Sequence, residues 1–521
     1  MRRTEPRLAA LTFGLVAGLQ ALPALAQEPL SAIDWLSRSV LVPPQVGGEP
    51  VNPLGAEAPV SHGVTIGEVD SAPLGPLNPL APGLIAPERS GLPRGLWGAT
   101  PEADLATLLK RERTDTTPSL LALLRLVILA ELDAPRQTSS TSPLLLARVD
   151  ALLEMGALEP AFALLQMAGA AEPERFRRLF DIALLLGEES RACRILGATP
   201  EVSPSYPVQV FCLARNGDWQ AAVLSFRGAE ALGLIEPDMI DLLARFLDPE
   251  GADGAEDLPA PERMSPLRFR LMEAVGQPMP TAPLPLAFAQ ADLRTNTGWK
   301  ARIEAGERLA RMGSVEPNQL LGLYTEQSAA ASGGVWERAA AMARLDAAIT
   351  ARNADAVAAV LPDTRDLLAE VGLESHLAAL FARSLATLPL TGEAAAVAFR
   401  LGMLSPDFES IAAQHVPQTA GERILLGIAK GDTAGLLAPN VRGVAVKTAF
   451  DAQADLSEPY AGLVAADRRG EALLLAVEAL TGGARGDLRQ VGAALTLLRT
   501  LGLETAARRI ALELLLLEPL A

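Results

Sequence analysis

The sequence predicts an all-α fold: a right-handed superhelical array of antiparallel helical hairpins, preceded by a Pro/Gly-rich extended segment. Three observations carry this. Apolar residues make up 49% of the chain and aromatics only 4%, so the core is filled chiefly by Leu and Ala, which favour helix, while strand formers are thin. From about residue 101 onward, amphipathic stretches of roughly 10 to 18 residues alternate with Gly, Pro and Asn-Gly breaks. The breaks also recur at near-constant intervals, which is the mark of a repeated unit.

Residues 1–26 are expected to lie outside the fold. Arg2, Arg3 and Arg7 make a basic start, and "LAALTFGLVAGL" is an apolar run too short to span a bilayer comfortably. Ala24-Leu25-Ala26 then supplies the small-x-small pattern of a signal-peptide cleavage site, placing cleavage before Gln27. No Cys stands at that point for a lipid anchor. A periplasmic protein is expected, with secretion beyond the envelope as the alternative. The formal net charge of −17 repels phosphate backbones and anionic lipid, so nucleic acid is excluded as the expected partner. After the signal, no stretch reaches the ~20 uninterrupted apolar residues of a membrane helix. The nearest, "LLALLRLVILAEL", is bounded by Arg125 and Glu131.

Residues 27–42 offer a short amphipathic helix capped by Ser31, with Ile33, Leu36 and Val40 on one face and Trp35 beside it. Ile33, Trp35 and Leu36 are the candidate partner-contact residues: the helix either docks on a partner or folds back on its own chain. Residues 43–100 form a linker or an ordered strap. Twelve prolines and ten glycines between 43 and 101 exclude regular helix there, while apolar runs such as "LIAPERSGLPRGLW" argue that part of it packs on the body. An N-terminal helical array is expected over 101–248, an acidic, Pro-rich joint or surface excursion over 249–285, and a C-terminal array over 286–521.

Two cysteines are present, Cys193 and Cys212. "TPEVSPSYP" lies between them, and its prolines force the chain to turn. Positions equidistant from the turn of an antiparallel hairpin come opposite one another, so in an exported chain these two are expected to form a disulfide. Closing that loop contributes about 3 kcal/mol. Beyond it, "CLARNGDWQAAVLSF" reads as a helix end, a break and a helix start. Gly217 favours the left-handed conformation after a helix, and Asp218 can cap the next one. Trp219, Ala222, Val223 and Phe226 then recur at helical spacing, with Trp219, Ala222 and Phe226 expected to pack.

The same grammar returns with glycines at 156, 187 and 217, and again at 392, 431 and 470. Repeats of this length signify stacked helical hairpins that cannot bury their apolar faces singly. Gly217, Trp219 and Ala222 form a Gly-x-aromatic-x-x-Ala arrangement that resembles tetratricopeptide-like α-solenoid repeats of the bacterial envelope. The period and the proline-terminated consensus of that family are missing. The resemblance implies a scaffold that binds another protein through its helical surface.

Familiar catalytic signatures are lacking. The three histidines, His62, His376 and His415, show no metal-ligand spacing, and no GxSxG, Walker or GxGxxG motif occurs. No cofactor and no metal are therefore expected. The Arg-Gly-Asp of "GGARGD" reads as a helix stop with Asp487 capping the next helix. Glu189-Ser190, Glu374-Ser375 and Glu409-Ser410 carry the Glu-Ser pair of lytic transglycosylases without that family's flanking run, and read as cap or surface residues. The expected function is a non-catalytic adaptor for another cell-envelope protein, to which an acidic surface brings a basic or extended partner. The alternative is a peptidoglycan-acting enzyme or its accessory subunit, with Glu374 as the residue to test.

Overall fold

A computed structural model of the chain describes residues 33, 35–36, 82–136, 138, 142–170, 172–251, 254, 256–329, 331–451 and 454–518. The signal segment, the cap Ser31 and most of the expected linker lie outside those residues. Two compact units are present, Met1–Asp34 and Trp35–Ala521. Of the first only Ile33 is described, and it is buried.

The second unit is all-helical: among the described residues no strand occurs beyond one isolated parallel bridge, Ile85 to Ala130. The chain runs through α1 (Pro87–Ser90), α2 (Glu102–Arg111), α3 (Pro118–Leu129), α4 (Pro143–Glu154), α5 (Leu158–Ala168) and α6 (Pro173–Leu186). It continues through α7 (Glu189–Ala198), α8 (Tyr206–Arg215), α9 (Trp219–Ala231), α10 (Pro237–Leu247) and α11 (Pro266–Ala274). Next come α12 (Ala289–Asp292), α13 (Trp299–Arg311), α14 (Pro317–Thr325), α15 (Val335–Thr350), α16 (Ala354–Ala369), α17 (Glu374–Leu385) and α18 (Gly392–Leu404). The last are α19 (Phe408–Gln414), α20 (Ala420–Lys430), α21 (Val441–Lys447), α22 (Tyr460–Ala465), α23 (Arg469–Ala484), α24 (Val491–Thr500) and α25 (Glu504–Leu516).

Many of the prolines begin helices rather than merely interrupting them. Pro118, Pro143, Pro173, Pro237, Pro266 and Pro317 each open one, where the missing N–H removes a donor that would have no intrahelical partner. Gly217 takes φ +88°, and Asp218 caps α9 by accepting from the Ala221 N–H at 3.0 Å. Asp487 corrects the sequence reading. Helix α24 does not start until Val491, and the Asp487 carboxylate accepts instead from the Arg489 N–H at 3.2 Å and pairs with its guanidinium at 2.6 Å.

Sequential helices pack as neighbours in α8–α9, α15–α16, α17–α18 and α23–α24. Helices α7 to α10 leave the chain after α6, and α11 returns to pack on α6. Residues 289–404 share one apolar core around Tyr324, Leu345, Leu361 and Leu401. An open array would keep its first and last units apart. Here α2 packs on α23, and α3 packs on both α23 and α25, so the succession of neighbours closes on itself.

The closing seam is polar and specific. Near the end of the Pro/Gly-rich segment Leu84 and Ile85 donate to Leu129 O, and Glu131 N–H donates to Ile85 O at 2.8 Å. A side chain at Gly83 would meet Glu131 Cα at 2.2 Å, so only glycine permits that approach. Further along, Gly470 N–H donates to Leu96 O and Ala99 N–H to Asp467 O, each at 2.8 Å. Trp97, buried, lies so close to Gly470 that a Cβ there would sit 2.6 Å from its ring. Trp35 and Leu36 are 8% and 2% exposed, and the Trp35 ring sits edge-on to Phe288 with centroids 5.5 Å apart.

Two helix starts at this end of the chain are capped by carboxylates from other helices. Thr117 and Ser142, the residues before α3 and α4, make no side-chain cap. Instead the buried Glu513 of α25 accepts from both Ser119 N–H at 2.8 Å and Ser119 Oγ–H at 2.6 Å. Glu102 of α2 accepts likewise from Leu144 N–H at 3.3 Å. A carboxyl oxygen there answers amides that lack intrahelical partners. Glu513→Ala is expected to lower the unfolding free energy of the full chain in urea by about 2 kcal/mol, because Ser119 is left buried and unsatisfied. An unchanged midpoint would show that the carboxylate does not hold the seam.

Candidate functional site

Helix α9 carries apolar residues on two faces, and the fold covers only one. Ala222, Phe226 and Ala229 recur at i, i+4 and i+7 and are buried. Trp219, Val223 and Leu224 are 46%, 42% and 75% exposed. Trp219 was expected to pack; its ring is half in solvent, because among the described residues α9 packs closely only on α8 and α10. Large apolar side chains in a cluster at the surface mark interaction sites far more specifically than scattered ones.

Trp219 is not loose. Its ring lies 6.0 Å from Phe246 on α10, which stacks on Phe211 of α8 at 5.7 Å, which in turn meets Phe180 of α6 at 6.2 Å. A ladder of rings therefore runs from the interior to the exposed indole, and aromatic pairs of this kind add rigidity beyond area burial. Phe246 and Phe180 were not singled out from sequence. Their periodicity within α10 and α6 was legible, but which helices would stack was not.

The hairpin beneath α9 is covalently braced. Cys193 of α7 and Cys212 of α8 form a disulfide with Cα atoms 5.0 Å apart, both buried. Three residues beyond Cys212, Arg215 pairs with Glu189 at 2.9 Å, as antiparallel pairing requires. Glu189 also reaches Arg270 of α11 at 3.2 Å, so one carboxylate ties α7, α8 and α11 together.

Two hollows flank the exposed face. One, of about 560 Å³, lies between α9 and α10 over Phe226, Ala244 and Leu247. The other, of about 480 Å³, lies on the outer side of α9 along Trp219, Gln220 and Leu224. Val223 and Arg227 line both. The side chains here offer apolar area, two guanidinium groups and the Asp248 carboxylate.

The other residues singled out from sequence serve the fold. Glu189 and Glu374 are buried ion-pair partners rather than cap or surface groups. Glu374 holds Arg400 at 2.5 Å, because a carboxylate at the start of α17 faces α18 instead of solvent. Glu409 pairs with Arg508 at 3.0 Å. His415 stacks on Phe399 and shares a hydrogen bond with Glu422 at 2.8 Å. His62 lies outside the described residues. His376 is largely buried, and desolvation pushes it down to about 4. Burial, aided by nearby Glu478, pushes the Glu112 carboxyl up to about 9, and its Oε2 has no hydrogen-bond partner among the described residues. Among those residues no group of three or more His, Cys, Asp or Glu can hold a metal ion, and no helix is long and apolar enough to cross a membrane. Comparison of the chain with protein families, curated proteins and solved structures found no match.

Replacing both cysteines by serine is expected to lower the unfolding free energy by about 3 kcal/mol, measured against the oxidised chain in urea. The titrations work in opposite directions. A histidine depressed in the fold contributes stability above its unfolded value of 6.5 that is lost as pH falls toward about 4. A carboxyl raised in the fold contributes stability below its unfolded value of 4.5 that is lost as pH rises toward about 9. The melting temperature of Glu112→Gln should therefore fall less than that of the parent between pH 7 and pH 9 (on the order of two pH units); parallel curves would refute the assignment.

Proposed function

We propose that this protein is an exported, non-catalytic scaffold that binds another cell-envelope protein through the exposed face of α9. Its successive hairpins are read as a tetratricopeptide-like, right-handed superhelical array whose ends are fastened together. The neighbouring pairs α8–α9, α15–α16, α17–α18 and α23–α24 support the array, and the disulfide suits the oxidising periplasm. One observation carries the binding role: Trp219, Val223 and Leu224 stand in solvent on a helix that buries Ala222, Phe226 and Ala229. The mount is firm, since the ring ladder and the disulfide brace it from below. A preorganised apolar face loses little freedom when a partner covers it.

A photo-crosslinking residue placed at Leu224 in exporting cells tests this. A discrete protein adduct is expected, absent when the crosslinker sits at exposed Asp355 on α16, and lost when Val223 is also changed to Asp. Val223→Asp should leave the melting temperature within about 2 °C of the parent, as befits an exposed site. No adduct at 224, or the same adducts at 355, would overturn the reading.

A further inference from the structure

The docking reading leaves the partner's chemistry open, and the groove beside α9 narrows it. Its walls are apolar at Val223, Phe226, Ala244 and Leu247, yet two guanidinium groups stand over them, Arg227 and Arg245. In a chain of net charge −17 the lining thus carries two guanidinium groups and a single carboxylate, Asp248. Arg227 is paired only within its own helix, with Glu230 at 3.0 Å, and is 66% exposed. Arg245 has no ion pair or hydrogen bond among the described residues. The one acid on the wall, Asp248, accepts from Gly251 N–H at 2.9 Å. An occupant that fills the hollows and leaves the arginines unanswered would desolvate them without compensation, whereas one bringing a carboxylate would form charge-assisted hydrogen bonds.

The two hollows share Val223 and Arg227, so a ligand spanning both needs at least two apolar anchors on one continuous backbone. Both are open to solvent along one side, which fits a laid-in peptide better than an enclosed acyl chain. We infer that the α9–α10 groove binds a peptide segment of the partner that presents spaced apolar side chains together with an Asp or Glu directed at Arg245 and Arg227. The whole-chain charge favours a basic partner; at this groove Arg245, which forms no ion pair among the described residues, favours an acidic one. This inference rests on the docking reading.

Selection of a phage-displayed library of random 16-residue peptides on the purified, oxidised full chain tests it, with affinities then measured by anisotropy of labelled peptides. Selected peptides are expected to combine apolar residues with Asp or Glu. They should lose at least tenfold in affinity on Arg245→Glu, fail on Val223→Asp, and survive excess palmitate. Enrichment of basic or uncharged peptides overturns the inference. So does affinity indifferent to Arg245→Glu, displacement by palmitate, or no enrichment at all. If the Leu224 crosslink succeeds while this selection fails, docking stands and the acidic-peptide class falls; failure of both removes docking itself.

Discussion

A carboxylate shut away from water must find donors, and Glu513 finds them on the far side of the chain. Nearly four hundred residues separate it from Ser119 (a separation of 394), yet its two oxygens take the Ser119 amide and hydroxyl. The rest of the architecture is organised by that demand. Helix α3 lacks a cap of its own, α25 supplies one, and the helices between are held in a closed succession. Glu102 does the same for α4 over a shorter span. Apolar packing of Leu and Ala explains why the helices associate, but such surfaces are nearly interchangeable and specify register weakly. Buried carboxyl-to-amide contacts specify it, because a slipped register leaves groups unsatisfied.

How much of this was legible in the sequence depends on the range of the interaction. Local signals read well. The Leu/Ala composition gave the all-helical class, Gly217 and Asp218 marked a real break and a real cap, and Cys193 and Cys212 were matched by their distance from one turn. The proline-rich segment was ambiguous because Pro and Gly forbid helix without saying whether a chain is loose. Its last part is ordered through backbone bonds to Leu129 and Glu131, which no side-chain pattern announces. The pairing of α3 with α25 was illegible, since Glu513 looks like any solvated acid in "ALELLLLEPL". Asp487 misled because a helix stop followed by an acid resembles a cap, although the chain travels further before the next helix begins.

At the candidate site the sequence was half readable. Spacing selected Trp219, Ala222, Val223 and Phe226 together, but a period of about 3.6 residues tells only that residues lie near one face, not which of them a neighbour covers. Ala222 and Phe226 are covered, whereas Trp219 and Val223 are left at the rim. Arg245 could not have been found at all, because its significance is that it forms no ion pair among the described residues, which spacing does not announce. The disulfide and the ring ladder give this small region a stiffness that the composition of α9 alone would not provide.

Joining the first helices to the last also has a consequence in time. A chain is synthesised from its N-terminus, so α2 and α3 exist long before α23 and α25 are made. Until then Ser119 has no acceptor and the strap around Trp97 has no seat, and contacts so distant in sequence form slowly. The early portion must wait half-built, with Leu-rich flanks open to whatever is near. A protein constructed in this manner stays incomplete until its last helices arrive, and the loss of a few residues from its tail would be felt first at its head.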